Sequence, residues 1–208
     1  MIDADWLLFV PVSLAIIATP GQDMVLVMSR SIAQGAAAGV ATAAGVSVGL
    51  LGHTVLATLG LGALLQASET LFVALKLLGA AYLLFLGVRM LVARTADLAL
   101  TRAAPRSPIR LFLEGAASNL SNPKIAIFYF AFLPQFVRPE ATRPAMTVFV
   151  LGLAFAVLTF LVKGPVGVGA GTLSGWLRAR PRVLVGIHRL GGLVLIGLGV
   201  RLALERRP

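Results

Sequence analysis

The chain has no cysteine, and only 12% of its 208 residues are charged. The first absence removes disulfides, thiolate metal sites, iron–sulfur clusters and cysteine nucleophiles. The second is about half the charged fraction of a soluble domain, which is about 25%. Acidic side chains are scarcest, 8 against 18 lysines and arginines, and the 2 histidines lie far apart. Two separated histidines without cysteine do not make a dedicated metal site. No GxSxG, HExxH, phosphate-binding loop or dinucleotide fingerprint occurs. The sequence therefore specifies neither an enzyme nor an ATPase, and it calls for no cofactor.

What is present is apolar. Hydrophobic residues make up 58% of the chain, and the mean hydropathy is +0.94. This excludes an ordinary soluble enzyme, a disordered chain and a fibrous repeat, and fits a bundle whose surface faces lipid. A net charge of +10 would suggest nucleic acid in a soluble protein. Here the charges sit in short loops, where they orient a membrane protein, so no nucleic-acid partner is expected.

A spanning helix needs about 20 mostly apolar residues. Six such stretches are expected: Trp6 to about Met28, Ala36–Leu65, Leu71–Val92, Leu111–Val137, Ala145–Val168 and Val183–Leu204. The first begins beside Asp3 and Asp5, which is too acidic for a secretory signal, so it reads as a retained helix. The stretch Arg94–Arg110 is basic, carries Pro105 and Pro108, and reads as a linker.

Residues 78–89 (LGAAYLLFLGVR) and 190–201 (LGGLVLIGLGVR) agree at 7 of 12 positions. The first and fourth stretches also correspond, each with a proline (Pro20, Pro123) in a polar mid-helix patch. The fold expected is an all-α membrane domain of two three-helix repeats, 1–93 and 111–208, joined by a cytoplasmic linker over 94–110. An odd number of spans per half turns the second half upside down, the inverted repeat of many secondary transporters. Loops 1–2, 3–4 and 5–6 hold Arg30, Arg89, Arg94, Arg102, Arg106, Arg110, Arg178, Arg180 and Arg182. The opposite side holds Arg138, Arg143, Arg201, Arg206 and Arg207, so both termini are expected outside the cytoplasm.

Irregular backbone inside a membrane is tolerated only where protein or water satisfies it. Pro20-Gly21 and Asn122-Pro123 should break or kink their helices and free backbone groups near the midplane. Free helix ends carry partial charges, which suits a zwitterionic amino acid. A packing bend is the alternative at each proline. Asp23 follows the first break and is either a proton carrier or an anchor for an ammonium, unless it is merely solvated. Lys124 sits mid-span, where snorkelling is hard and a carboxylate partner is expected. His53 either relays protons or hydrogen-bonds a neighbouring helix. Glu114 either lines an entrance or is a solvated helix start. Lys76, Lys163 and His188 lie toward span ends and read as snorkelling side chains. Gly35-xxx-Gly39 and Gly45-xxx-Gly49 read as helix-packing motifs.

The segments TPGQDMVLVMSRSIAQGAAAGVATAAGVSVGLLGH (Thr19–His53) and SNPKIAIFYFAFLPQFV (Ser121–Val137), with the ending LVLIGLGVRLAL (Leu193–Leu204), resemble the LysE/RhtB family of amino-acid exporters. The resemblance covers nearly the whole chain. It implies a bacterial inner-membrane carrier that moves amino acids or derivatives of the homoserine, homoserine lactone, threonine, leucine or lysine type out of the cytoplasm against protons. Its first motif is often PGP followed by Asn or Asp; here Gln22 replaces the second proline, which implies a milder break. The residues carried over are Pro20, Gly21 and Asp23, and Asn122, Pro123 and Lys124. On this reading Gln22, Asn122, Lys124 and the backbone around Pro20, Gly21 and Pro123 hold substrate, while Asp23 and His53 couple protons. The partners expected are the amino acid, protons and the lipid bilayer, with a homo-oligomer left open. The rival readings are a cation or metal exporter of similar architecture and a non-transport membrane scaffold.

Overall fold

The computed structural model describes residues 4–19, 21–67, 69–92, 106–138 and 140–204, apart from some side chains, those of Lys76, Pro123, Lys124 and His188 among them. Within these residues the chain is helical, with a single isolated bridge between Ala4 and Val137. The helices are α1 (Trp6–Ala18), α2 (Gln22–Gln34), α3 (Ala36–Ala67), α4 (Glu69–Val92), α5 (Pro108–Leu120), α6 (Pro123–Phe132), α7 (Pro144–Ala179) and α8 (Pro181–Leu204). A 3-10 turn, Leu133–Phe136, extends α6.

Local chemistry sets several boundaries. Asp5 caps α1 by accepting the Leu8 amide at 3.2 Å. Each helix from α5 to α8 opens on a proline, which lacks an amide hydrogen where the first turn has no use for one. Gly35 joins α2 to α3 at φ +91°, a conformation that favours glycine, and a Cβ there would touch nothing. It is therefore a turn residue rather than half of a packing motif.

Two helices, α3 over Ala36–Gly60 and α7 over Pro144–Ala170, are long and apolar enough to cross a membrane alone. The α1–α2 pair passes the same test together, with its axes bent by 54°. The first stretch therefore continues to Gln34, beyond the expected end near Met28, and the missing second proline does not close the gap. The fourth stretch is likewise two short helices, α5 and α6, separated by Ser121 and Asn122. A helix of 13 residues rises only about 20 Å, so neither α1 nor α5 crosses the hydrocarbon alone.

On α7, Leu153, Val157, Leu161 and Val168 point outward, while Leu151, Phe155, Thr159 and Lys163 are buried. That is the inside-out polarity of a helix whose outer solvent is lipid. Without a hydrophobic drive between helices in lipid, close packing must hold the bundle. A Cβ on Gly49 of α3 would lie 2.8 Å from Ala116 O and from Asn119 Cβ of α5. Gly45 meets the Phe112 carbonyl in the same contact. α3 and α7 run antiparallel: Gly39 lies against Gly167 and Thr54 against Gly152. α4 and α8 do the same. A Cβ on Gly87 would lie 2.6 Å from Gly192 O, and one on Gly199 would lie 3.0 Å from Ala80 O.

The core's largest block is aromatic. Phe9 of α1, Phe128 and Phe132 of α6, Phe136 of the 3-10 turn and Phe155 of α7 are all buried. Phe128 stacks on Phe132 with centroids 4.7 Å apart, and Phe132 meets Phe136 and Phe155 edge-on at 4.7 and 5.6 Å. The Asp5 amide donates to Phe136 O at 2.9 Å, so this block closes the end of the bundle where α1 begins.

Candidate functional site

Two helix gaps bring polar groups into the bundle. At the second, α5 ends and the Asn119 carbonyl accepts the Asn122 amide at 3.0 Å. The same carbonyl lies 3.0 Å from His53 Nε2. A carbonyl only accepts, so Nε2 carries the hydrogen and Nδ1 carries the lone pair in the neutral ring. His53 is 2% exposed, and Nδ1 has no partner among the described residues. His53 thus bonds a neighbouring helix and also keeps a buried acceptor free.

At the first gap, Gly21 precedes α2 in ordinary extended backbone (φ −135°), with open space where a Cβ would stand. Its flexibility is not what interrupts the helix. Gln22 is exposed, and its Oε1 accepts Asn122 Nδ2 at 3.3 Å, so the two gaps touch. Pro20 lies outside the described residues. The backbone of Pro123 and Lys124 opens α6, and their side chains lie outside the described set.

Asp23, in the first turn of α2, is 8% exposed. Its Oδ2 accepts Asn119 Nδ2 at 2.9 Å and Lys163 Nζ at 3.3 Å. Its Oδ1 is buried without a hydrogen-bond partner among the described residues. The orphan amides of the first turn and the positive end of the helix dipole favour a carboxylate at this place. Asp23 is therefore not solvated at a helix end. Lys163, 8% exposed, does not snorkel as its position in the sequence suggested. Its ammonium turns inward because a buried carboxylate is there to receive it. Asn119 is fully buried, and Gly49 makes room for it.

Sequence reasoning missed Lys163 and Asn119. The signal for Lys163 was available: it ends a long apolar run from Met146 to Val162, and a cation that deep needs a partner. No comparable signal marked Asn119, which is one polar residue near a helix end.

A second polar cluster lies farther along α2, seven residues or about 10 Å beyond Asp23. Glu114 of α5 accepts from Arg30 and Arg110 at 3.2 Å each, and also pairs with Arg106. Arg30 is therefore a buried ion-pair partner inside α2 and does not belong to the loop charges. Gln34 Nε2 donates to Arg106 O at 2.8 Å, which ties the segment just before α5 to α2. Among the described residues no three His, Asp or Glu side chains group as a metal site.

The sequence comparisons agree on one family. An uncharacterized membrane protein of Pseudomonas aeruginosa is 33% identical over 193 residues, 90% of this chain and 89% of that one. The homoserine/homoserine lactone efflux protein of Salmonella typhimurium is 32% identical over 201 residues, 97% of each chain. The leucine efflux protein of Klebsiella pneumoniae is 31% identical over 189 residues, 90% of this chain and 89% of that one. No solved structure matches. Residues 14–206 match the family described as LysE type translocator, and the chain, an integral membrane protein, belongs to that family.

Proposed function

We propose that the protein exports amino acids or close derivatives from the cytoplasm by alternating access, in exchange for protons. The observation that carries this reading is Asp23. A buried carboxylate from the first half is held by Asn119 and Lys163 from the second, beside His53. An ionisable group is costly inside a membrane and is kept where it meets a substrate or an ion.

The relatives named above export homoserine, homoserine lactone and leucine by their names. Those compounds differ in side chain, and the lactone has no free carboxylate. They share a primary ammonium next to a carbonyl carbon, and Asp23 is the group suited to bind it. Gln22, Asn122, Lys124 and the backbone at Pro20, Gly21 and Pro123 then orient the rest of the substrate. Lys124 takes the carboxylate where there is one. His53 Nδ1 is the accessory proton acceptor.

The helices are read as six spans in two inverted repeats, 1–93 and 111–208, around the linker 94–110. In support, element lengths recur in order, and the Gly87–Gly192 contact maps onto the Gly199–Ala80 contact when the matched segments are exchanged. Rocking one half against the other would turn the Asp23 site from one side to the other. The larger number of basic residues in loops 1–2, 3–4 and 5–6 supports a topology with both termini on the periplasmic side of the bacterial inner membrane.

The test is transport into proteoliposomes with an imposed pH gradient. Labelled homoserine, homoserine lactone or leucine should accumulate, and Asp23→Asn should abolish accumulation while the protein stays folded in the membrane. Failure of the wild-type protein with all three compounds and their close analogues would overturn the reading. Full transport by Asp23→Asn would remove Asp23 from the reading and leave the export itself standing.

A further inference from the structure

Lys163 is a buried cation to which the export reading gives no role beyond holding Asp23. Its Nζ touches Asp23 through one oxygen only, at 3.3 Å. That is long beside the about 2.7–2.9 Å of a tight charge-assisted bond. The second oxygen, Asp23 Oδ1, is buried without a partner among the described residues. A carboxylate offers about four acceptor positions, so this one has capacity for a further donor. The titratable groups around it come from separate helices: Asp23 from α2, His53 from α3 and Lys163 from α7, with the neutral Asn119 from α5. Two residues after Lys163, Pro165 has no amide hydrogen for the Leu161 carbonyl, so the α7 backbone beneath the lysine is one bond short.

A lysine Nζ and an α-ammonium are the same chemical group, three N–H donors on a primary cation. We propose that Lys163 is a tethered stand-in for the substrate's ammonium: it occupies Asp23 in the empty carrier and is displaced when an α-amino substrate binds. The inference rests on Asp23 being the ammonium anchor. It makes Lys163 a specificity-determining residue. The empty site never holds a bare buried carboxylate, and only a ligand bearing its own primary ammonium can take the lysine's place. Occupancy by the tether lowers apparent substrate affinity by the fraction of time the anchor is unavailable.

The test compares half-saturating concentrations in proteoliposome exchange, with substrate on both sides and no gradient. Removing the tether in Lys163→Met should lower the half-saturating concentration by about tenfold, if the lysine holds the anchor about nine-tenths of the time. Lys163→Arg keeps the charge and can bond both Asp23 oxygens, so it should raise the value by a similar factor. In the wild-type protein, isoamylamine (leucine without its carboxylate) should compete with leucine, and isocaproate (leucine without its amino group) should not. A higher half-saturating concentration in Lys163→Met, or an unchanged one in Lys163→Arg, overturns the proposal. So does competition by isocaproate alone. Should Lys163→Met not reach the membrane, Lys163→Arg and the wild-type inhibition pattern decide. A wild-type protein that transports nothing fails the export reading instead, so the two failures are distinct.

Discussion

At the end where Asp5 meets Phe136, the bundle is shut by stacked and edge-on rings of α1, α6, α7 and the 3-10 turn. At the other end, Glu114 gathers Arg30, Arg106 and Arg110, and Gln34 pins the Arg106 backbone. The aromatic end holds mainly by contact area and shape. The basic end holds by ion pairs that remain partly wet, with Glu114 28% exposed in its side chain. Water competes for the second kind of closure and not for the first. Opening the aromatic end requires helices to move apart; opening the basic end requires only that arginines exchange one acceptor for another. The structure is therefore tightly packed at the aromatic end and more easily unlatched at the basic end.

The contrast can be broken in three places. The largest effect is expected from Phe132→Ala, which empties the centre of the aromatic seal. On the scale of buried phenylalanines the cost is about 3–5 kcal/mol, read as a fall in Tm of the detergent-solubilised protein. The same variant should leak preloaded leucine from proteoliposomes without a gradient; unchanged Tm and no leak would mean that the rings do not form the seal. A smaller effect is expected from Glu114→Gln, which leaves the mostly buried Arg30 without its carboxylate. The cost should be about 1–3 kcal/mol, and raised salt should weaken the wild-type closure in the same direction. Transport rates insensitive to both changes would show that the basic end is not a latch. The smallest effect is expected from Leu161→Ala, on the lipid face of α7. Stability should move by less than about 0.5 kcal/mol, and a larger fall would show that this face is covered by protein.

Much of the helix plan was legible in the sequence. Apolar runs of spanning length, the two proline patches and the repeated LGVR segments are local signals, and the helices run where those signals lie. Asp23 was also legible as the acidic residue next to a gap. The pairing was not. Lys163 stands 140 residues from Asp23, and the apolar run before it calls for a partner without saying which. Arg30 was legible as a loop charge and is instead buried in α2, because Glu114 comes from 84 residues away to receive it. Gly35 and Gly39 share one motif but not one job, since only Gly39 faces another backbone.

By itself, then, the sequence determined the class of solvent around this protein, the places where its helices run and the places where they must break. Those follow from backbone hydrogen bonding and apolar transfer, which act over a few residues at a time. Only the tertiary structure decided which charges neutralise one another and which end is sealed by rings. Charge pairing and aromatic packing depend on distances through space, and four helices must assemble before Asp23, His53, Asn119 and Lys163 become neighbours.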